Sequence, residues 1–207
     1  MAARAVTPAL GAEIRASVDK AARYYETMGY GSFAAGNAEG GLTTIEEKSL
    51  RRLCQVGLGG HCRPDKAGRH PPRGGLYLLD VVPDGEVRWA FPNISNNAEI
   101  VELIACGAHC VLFVTGRGSV VGSAISPVVK ICANPETYRR MADDMDVAAG
   151  RILEGRAKLA EVGKEIAALM LGLAAGGRTR SEELGHQEFI LTYKSFEPIG
   201  PACLPGL

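Results

Sequence analysis

The stretch CVLFVTGRGS, Cys110 to Ser119, decides the fold. Its first half, Cys110 to Val114, is a short, continuous apolar run rich in β-branched and aromatic residues. A strand buried on both faces reads this way, whereas a half-exposed strand would alternate polar and apolar residues. Its second half, Thr115-Gly116-Arg117-Gly118-Ser119, is a glycine loop that leaves the strand directly. Glycines there let the backbone approach a ligand closely, and their N–H groups can cradle an anion. Arg117 adds a planar donor fork suited to a carboxylate. In open α/β sheets ligands bind at this C-terminal edge of the strands. The alternative is a plain strand-exit turn with a solvated arginine.

Outward from this stretch the pattern repeats. Upstream, Asn96 and Glu99 stand at capping-box spacing, with Ile100, Leu103 and Ile104 on one face and Gly107 as a stop, which predicts a helix from about Asn96. Downstream, Val128 to Cys132 is another buried-strand run. Asn134-Pro135 then opens a helix, with a cap residue followed by proline at the first position. Lys158 to Ala174 places Leu159, Val162, Ile166, Leu169, Met170 and Leu173 along one stripe and ends at Gly176-Gly177. Gly75 to Val82 reads as a further strand, Pro8 to Met28 as an amphipathic helix, and Glu188 to Tyr193 as a last strand. Residues 57 to 74 hold five glycines and three prolines and read as a loop. Strands alternating with helices predict an α/β layered fold, a mainly parallel sheet flanked by helices in a Rossmann-like arrangement.

Composition narrows the function. Across 207 residues, 23 basic side chains balance 23 acidic ones, so no net charge steers the surface toward nucleic acid or anionic membrane. The longest apolar stretch, Ile166 to Ala175, is too short to span a bilayer. No signal-peptide pattern opens the chain, and six irregularly spaced cysteines suit a reducing compartment. A cytoplasmic protein is expected.

Other residues carry possible chemistry. Gly36-Asn37 with Gly40-Gly41-Leu42-Thr43-Thr44 is a second glycine-rich loop that leads into a helix, a potential anion site without the spacing of a nucleotide-binding P-loop. Glu47 and Lys48 follow about one turn in, and a lysine in a dry setting can carry a proton or face an enolate; a solvated helix face is the alternative. Asp143-Asp144-Met145-Asp146 could ligate a hard cation, hold an arginine, or simply end a helix. Cys54, His61, Cys62 and His70 match no common zinc spacing. His109, at the start of an apolar run, reads as a core histidine. His186, between Gly185 and Gln187, is the freer acid/base candidate.

Taken in order, Gly36-Asn37, GGLTTIEEKSL (Gly40 to Leu50), GLYLLD (Gly75 to Asp80), TGRGS (Thr115 to Ser119), DDMDVAAGRILEG (Asp143 to Gly155) and SEELGHQEF (Ser181 to Phe189) form a specific series. From about Val18 to Pro205 the chain resembles the C-terminal region of the altronate and galactarate dehydratases, a family that includes the sulfolactate sulfo-lyase large subunit. The resemblance implies a lyase that dehydrates a sugar acid to a 2-keto-3-deoxy acid with a divalent metal, iron or manganese. The sulfo-lyase reaction, or a non-catalytic remnant or subunit needing a partner, is the alternative. It further implies that Gly116, Arg117 and Gly118, flanked by Thr115 and Ser119, anchor a substrate carboxylate. The Asn37, Gly40, Gly41, Thr43 and Thr44 loop would contribute to binding. Glu47, Lys48 and His186 would serve catalysis, and Asp144 and Asp146 would support the site or bind metal. Residues 1–35 would be a helical lead-in, the remnant of an upstream region, and residues 36–207 the dehydratase domain.

The expected partners are a small sugar acid, a separate chain carrying the N-terminal domain, and further copies of the chain in a homo-oligomer. Neither nucleic acid nor membrane is expected. Family members are longer, with upstream regions that supply part of the metal site. Arg51 to His70 departs from the family pattern, as a pair of compensating frameshifts in the gene would produce.

Overall fold

The computed structural model describes residues 2–27, 64–66, 69–72, 74–80 and 96–189. The chain divides into two compact units, residues 1–93 with 193–207, and residues 94–192.

In the first unit, helix α1 spans Pro8–Thr27. It buries Ile14, at 1% exposure, from the stripe read in the sequence, whereas Val18 faces solvent. Gly11 lets the helix lie against the preceding turn, because a Cβ there would sit 2.7 Å from the Ala2 carbonyl oxygen. Strands β1, Pro64–Lys66, and β2, Leu78–Asp80, pair in parallel. β1 corrects the reading of residues 57 to 74 as loop: three residues are too few to show a period. Lys20 of α1 reaches Asp80 at the end of β2 in a 2.7 Å ion pair whose side chains are 17% and 8% exposed.

The second unit carries the expected α/β layering. Helix α2, Asn96–Ala105, leads into β3, Val111–Thr115, and then β4, Val128–Cys132. Helix α3, Pro135–Arg140, follows. A two-residue strand β5, Val147–Ala148, precedes the long helix α4, Leu159–Ala174, and the short α5, Arg180–Leu184. The sheet order is β3-β4-β5, all parallel. β4 is central and buried along its whole length, which accounts for its uninterrupted apolar character.

Strand alternation sends its side chains to two cores. On one face Val128 joins Val111, Val121 and Ile100 of α2; on the other Val129 and Ile131 join Val147 and Val162 of α4. Helices therefore cover both faces of the sheet. Truncating a side chain such as Ile131 to alanine would cost about 2–5 kcal/mol, since the close-packed surroundings cannot collapse around the gap.

Local chemistry sets the helix ends. Asn134 Oδ1 accepts the N–H groups of Glu136 and Thr137 at the start of α3, with Pro135 in the first turn. At α5, Thr179 Oγ1 accepts the Glu182 N–H and the Glu182 carboxylate accepts the Thr179 N–H, a reciprocal capping box. Gly185, at φ 76°, closes that helix in the left-handed region.

Three further expectations change. β3 is not buried on both faces as its apolar run implies: Leu112 and Val114 are exposed, and only β4 at the centre of the sheet is covered on both sides. His109 is exposed, because the strand begins two residues later and His109 lies in the turn before it. Glu188 and Phe189 join no strand, and the rest of the strand expected over Glu188 to Tyr193 lies outside the described residues. β5 and α5 were not anticipated: two and five residues are too short for either period to show. No described helix is long and apolar enough to cross a membrane.

Candidate functional site

The Thr115–Ser119 loop leaves the C-terminal end of β3, as its sequence implies. Gly118 adopts φ 80°, a left-handed conformation, and its N–H donates to Thr115 Oγ1 at 3.1 Å. A Cβ at Gly118 would collide with Met141 Sδ and lie 3.1 Å from Thr137 Cγ2, so glycine is required on both backbone and packing grounds. Thr137 of α3 donates its hydroxyl to the Gly116 carbonyl at 2.8 Å and pins the loop tip to the helix. Ser119 Oγ accepts the Val121 N–H. Gly116 and Arg117 are exposed, and a Cβ at Gly116 would meet nothing within 4 Å. The loop is fixed at both ends and open at its centre.

The DDMD and SEELGHQEF segments meet at β4. Asp146 Oδ2 accepts the Lys130 N–H at 2.7 Å, and Asp146 Oδ1 accepts the Arg180 N–H at 2.8 Å. The Lys130 carbonyl in turn accepts the Asp146 N–H at 2.9 Å. One carboxylate thus ties the middle of β4 to the start of α5. Ser181 and Thr179, both at 0% exposure, complete the joint: the Ser181 hydroxyl donates to the Val128 carbonyl and lies 3.1 Å from Thr179 Oγ1. The Ser181 carbonyl accepts the His186 N–H at 2.8 Å, so this joint also aims His186. His186 Nδ1 lies 2.9 Å from Glu188 Oε1, and its Nε2 lies 3.9 Å from Asp144 Oδ1. The His186 main chain rests on Gly122, where a Cβ would approach His186 Cβ to 2.8 Å.

Sequence reasoning missed Lys130. It lies within an apolar run, pairs in register with Phe113, and has 0% exposure with no hydrogen-bond partner on its Nζ. Burial pulls its ammonium below the usual lysine range, while Asp144, Asp146 and Glu188 act in the opposite direction. A hydrogen bond from His186 holds the Glu188 carboxyl below its usual range, helped by the N–H groups of Glu188 itself and of Gly122. The available signal was a single charge inside five consecutive buried positions; a charged side chain is almost never fully buried without a reason.

The structure therefore brings Asp144, Asp146 and His186 together around Lys130, and it places Thr115, Gly116, Arg117, Gly118 and Ser119 in one loop within the same compact unit. Asn37, Gly40, Gly41, Thr43, Thr44, Glu47 and Lys48 lie outside the described residues, as do Cys54, His61 and Cys62; His70 is exposed. Among the described residues, no group of three or more His, Cys, Asp or Glu side chains could hold a metal ion, and both Asp146 oxygens accept main-chain N–H groups. The described residues do not by themselves make a ligand set. Cys110 and Cys132 form no disulfide, and burial raises the Cys110 thiol above its usual range.

Residues 1–196 match the family model for the C-terminal region of D-galactarate/altronate dehydratases. The chain belongs to this family. Among its curated relatives is the (2R)-sulfolactate sulfo-lyase subunit beta of Chromohalobacter salexigens, 39% identical over 158 residues, 76% of this chain and 38% of that protein. Galactarate dehydratase (L-threo-forming) of Escherichia coli is 29% identical over 151 residues, 72% of this chain and 27% of its own. Altronate dehydratase of Bacillus subtilis is 30% identical over 162 residues, 78% of this chain and 30% of its own. The chain thus spans between 27% and 38% of the length of these relatives. Its place in a lyase family follows from these matches.

Proposed function

We propose that this chain is the C-terminal part of a lyase that eliminates a β-substituent from a hydroxy acid, in the first instance water from a sugar acid of the galactarate or altronate type. The match of residues 1–196 to the dehydratase family carries the reading. A proton α to a carboxylate is only weakly acidic, so the reaction needs a cationic or hydrogen-bonding environment for the enediolate that forms. It also needs a base for that proton and an acid for the leaving group.

In this reading the Thr115–Ser119 loop holds a substrate carboxylate through main-chain N–H groups and the Arg117 guanidinium. His186, aimed by its Ser181 contact and flanked by Asp144 and Glu188, exchanges a proton with the substrate. Glu47 and Lys48 would line the same site, next to the Asn37–Thr44 loop. A divalent metal, iron or manganese, would supply further charge stabilisation when bound, with donors from outside the described residues.

Expulsion of sulfite instead of water is the second reading. The 39% identity to a sulfolactate sulfo-lyase subunit favours it, against 29% and 30% for the dehydratases. That relative is itself named a subunit, and this supports a separate partner chain for the remaining length.

The test is turnover of galactarate, altronate and (2R)-sulfolactate with ferrous iron or manganese, by this chain alone and together with the upstream region of a relative. Release of a keto acid or of sulfite separates the two readings. Arg117→Ala should lower kcat/KM by about 100-fold, the scale set by loss of a charge-assisted carboxylate anchor. Unchanged kinetics in that variant would remove the loop from the site.

A further inference from the structure

Arg117 and Gly122 are five positions apart, so at full extension no more than about 18 Å divides their Cα atoms. The segment between them is pinned. The Gly118 N–H donates to Thr115 Oγ1 at 3.1 Å, and the Val121 N–H donates to Ser119 Oγ at 3.2 Å. The Val121 side chain is buried in the core with Ile100, Val111 and Val128. Gly122 follows, itself buried, and the His186 main chain lies directly on it. A Cβ at Gly122 would strike the His186 carbonyl oxygen and come within 2.8 Å of His186 Cβ. These are main-chain atoms or the first side-chain atom, so no rotamer change relieves the contact. Gly122 is not among the glycines in the left-handed region, so the backbone accepts alanine there and space alone demands glycine. From the other side, the carbonyl of the fully buried Ser181 accepts the His186 N–H at 2.8 Å. Glu188 Oε1, 2.9 Å from Nδ1, and Asp144 Oδ1, 3.9 Å from Nε2, flank the ring.

On the reading that the loop binds a carboxylate and His186 transfers a proton, we propose that Gly122 is a positioning residue. Through the pinned segment from Thr115 to Gly122 it seats His186 at a fixed separation from Arg117, so that an acid anchored in the loop meets the imidazole. Gly122 acts through His186 rather than on the ligand. Proton transfer needs its two heavy atoms within hydrogen-bond reach, and a misplacement of about 1 Å can cost about 100-fold in rate. His186 lies just past the end of α5, and residues 186–189 belong to no helix or strand, so regular structure does not hold it. The seat supplies that restraint on one side and the Ser181 carbonyl supplies it on the other. The ring keeps 25% of its surface open and can still meet a ligand.

Nuclear magnetic resonance of the full chain with isotope-labelled histidine tests the seat without requiring turnover. His186→Gln identifies the His186 signals by their loss. Gly122→Ala should move those signals and leave those of His70, in the other compact unit, in place, with thermal melting confirming a folded chain. Gly163→Ala, which adds a methyl group where nothing lies within 4 Å, should move neither. In the turnover assay with the upstream region of a relative, Gly122→Ala should lower kcat about 100-fold with KM little changed. It should cost nothing further in the His186→Gln background, because a residue that acts only through His186 has nothing left to position. Unmoved His186 signals in folded Gly122→Ala overturn the seat. So does a loss of kcat that adds in full to that of His186→Gln, the mark of general destabilisation. If Gly122→Ala does not fold, Ser119→Ala loosens the segment without adding bulk and should shift the same signals; unshifted signals there also overturn the seat. Turnover retained in His186→Gln, with the signals still moved by Gly122→Ala, removes the proton-transfer reading and leaves the seat standing. If the parent turns over no acid, the signals alone decide.

Discussion

Thr115 to Ser119 leaves β3 into solvent, with Gly116 and Arg117 exposed and the ends of the loop held by one threonine hydroxyl each. On the neighbouring strand, in register two residues earlier, Lys130 is closed off entirely and its Nζ makes no hydrogen bond. The loop places Gly116 and Arg117 at an exposed edge. The cluster around Lys130 keeps its donors dry, where each interaction is stronger and each unmade one costs more. An open anchor of this kind contributes encounter and orientation, whereas a closed one contributes electrostatic strength once it is filled. Substitutions can separate the two by the sign and size of their effects on stability.

Asp146→Ala should have the largest effect. It leaves the buried Lys130 N–H without its acceptor, at about 1–3 kcal/mol, and takes the acceptor from the exposed Arg180 N–H, which water can partly replace. A loss of about 1.5–4 kcal/mol in chemical unfolding is expected, with Asp146→Asn retaining one acceptor oxygen and losing less. A loss below about 1 kcal/mol would mean that β4 and α5 are not joined through this carboxylate.

Lys130→Met should act in the opposite direction and stabilise the fold by about 1–3 kcal/mol, the cost of a buried polar group whose hydrogen bonds are unmade. The pH dependence gives the same prediction a second reading. The folded-state value of Lys130 lies below that of the unfolded chain, so between the two the unfolded state binds more protons and stability rises with pH. The advantage of the methionine variant should therefore be full below the lowered folded value and vanish as pH climbs to the ordinary lysine range. A constant gap across that window would contradict a charged, desolvated Lys130.

The two regions also differ in how much of them the sequence discloses. TGRGS can be read locally, because a buried-strand run emptying into two glycines specifies a loop at a sheet edge without knowledge of any distant residue. Apart from the two-residue β5, the order of helices and strands from Asn96 to Ala174 is legible for the same reason: each element carries its own period, cap or stop. The Lys130 cluster has no local signature. It ties position 130 to position 146 and sets position 144 against 186, and the joint depends on Asp146 reaching main-chain groups 16 and 34 residues away. Asp144 and Asp146 look equivalent in DDMD, yet the fold gives one to His186 and the other to the backbone.

Gly118→Ala probes the loop. Its φ of 80° disfavours any side chain, and the added methyl must displace Met141, so a cost of about 1–2 kcal/mol is expected in thermal unfolding. The same substitution at Gly116, which has open space around it, should cost less. Equal costs at the two glycines would show that the loop is not seated against α3 at Gly118.

The smallest effect belongs to Thr137→Val, which keeps the shape of the side chain and removes the 2.8 Å hydrogen bond to the Gly116 carbonyl. Water can replace that bond at an exposed carbonyl, so the stability loss should be about 0.5–1.5 kcal/mol. Its value lies in what moves with it. If the loop is a preorganised anchor, the lost tether should weaken acid binding by more than the stability change alone implies, while the stability effect of Asp146→Ala is unchanged. Binding unaffected by Thr137→Val would mean that the loop holds its shape through Gly118 and Thr115 alone, and the contrast between an open anchor and a closed one would then rest on the strand rather than on α3.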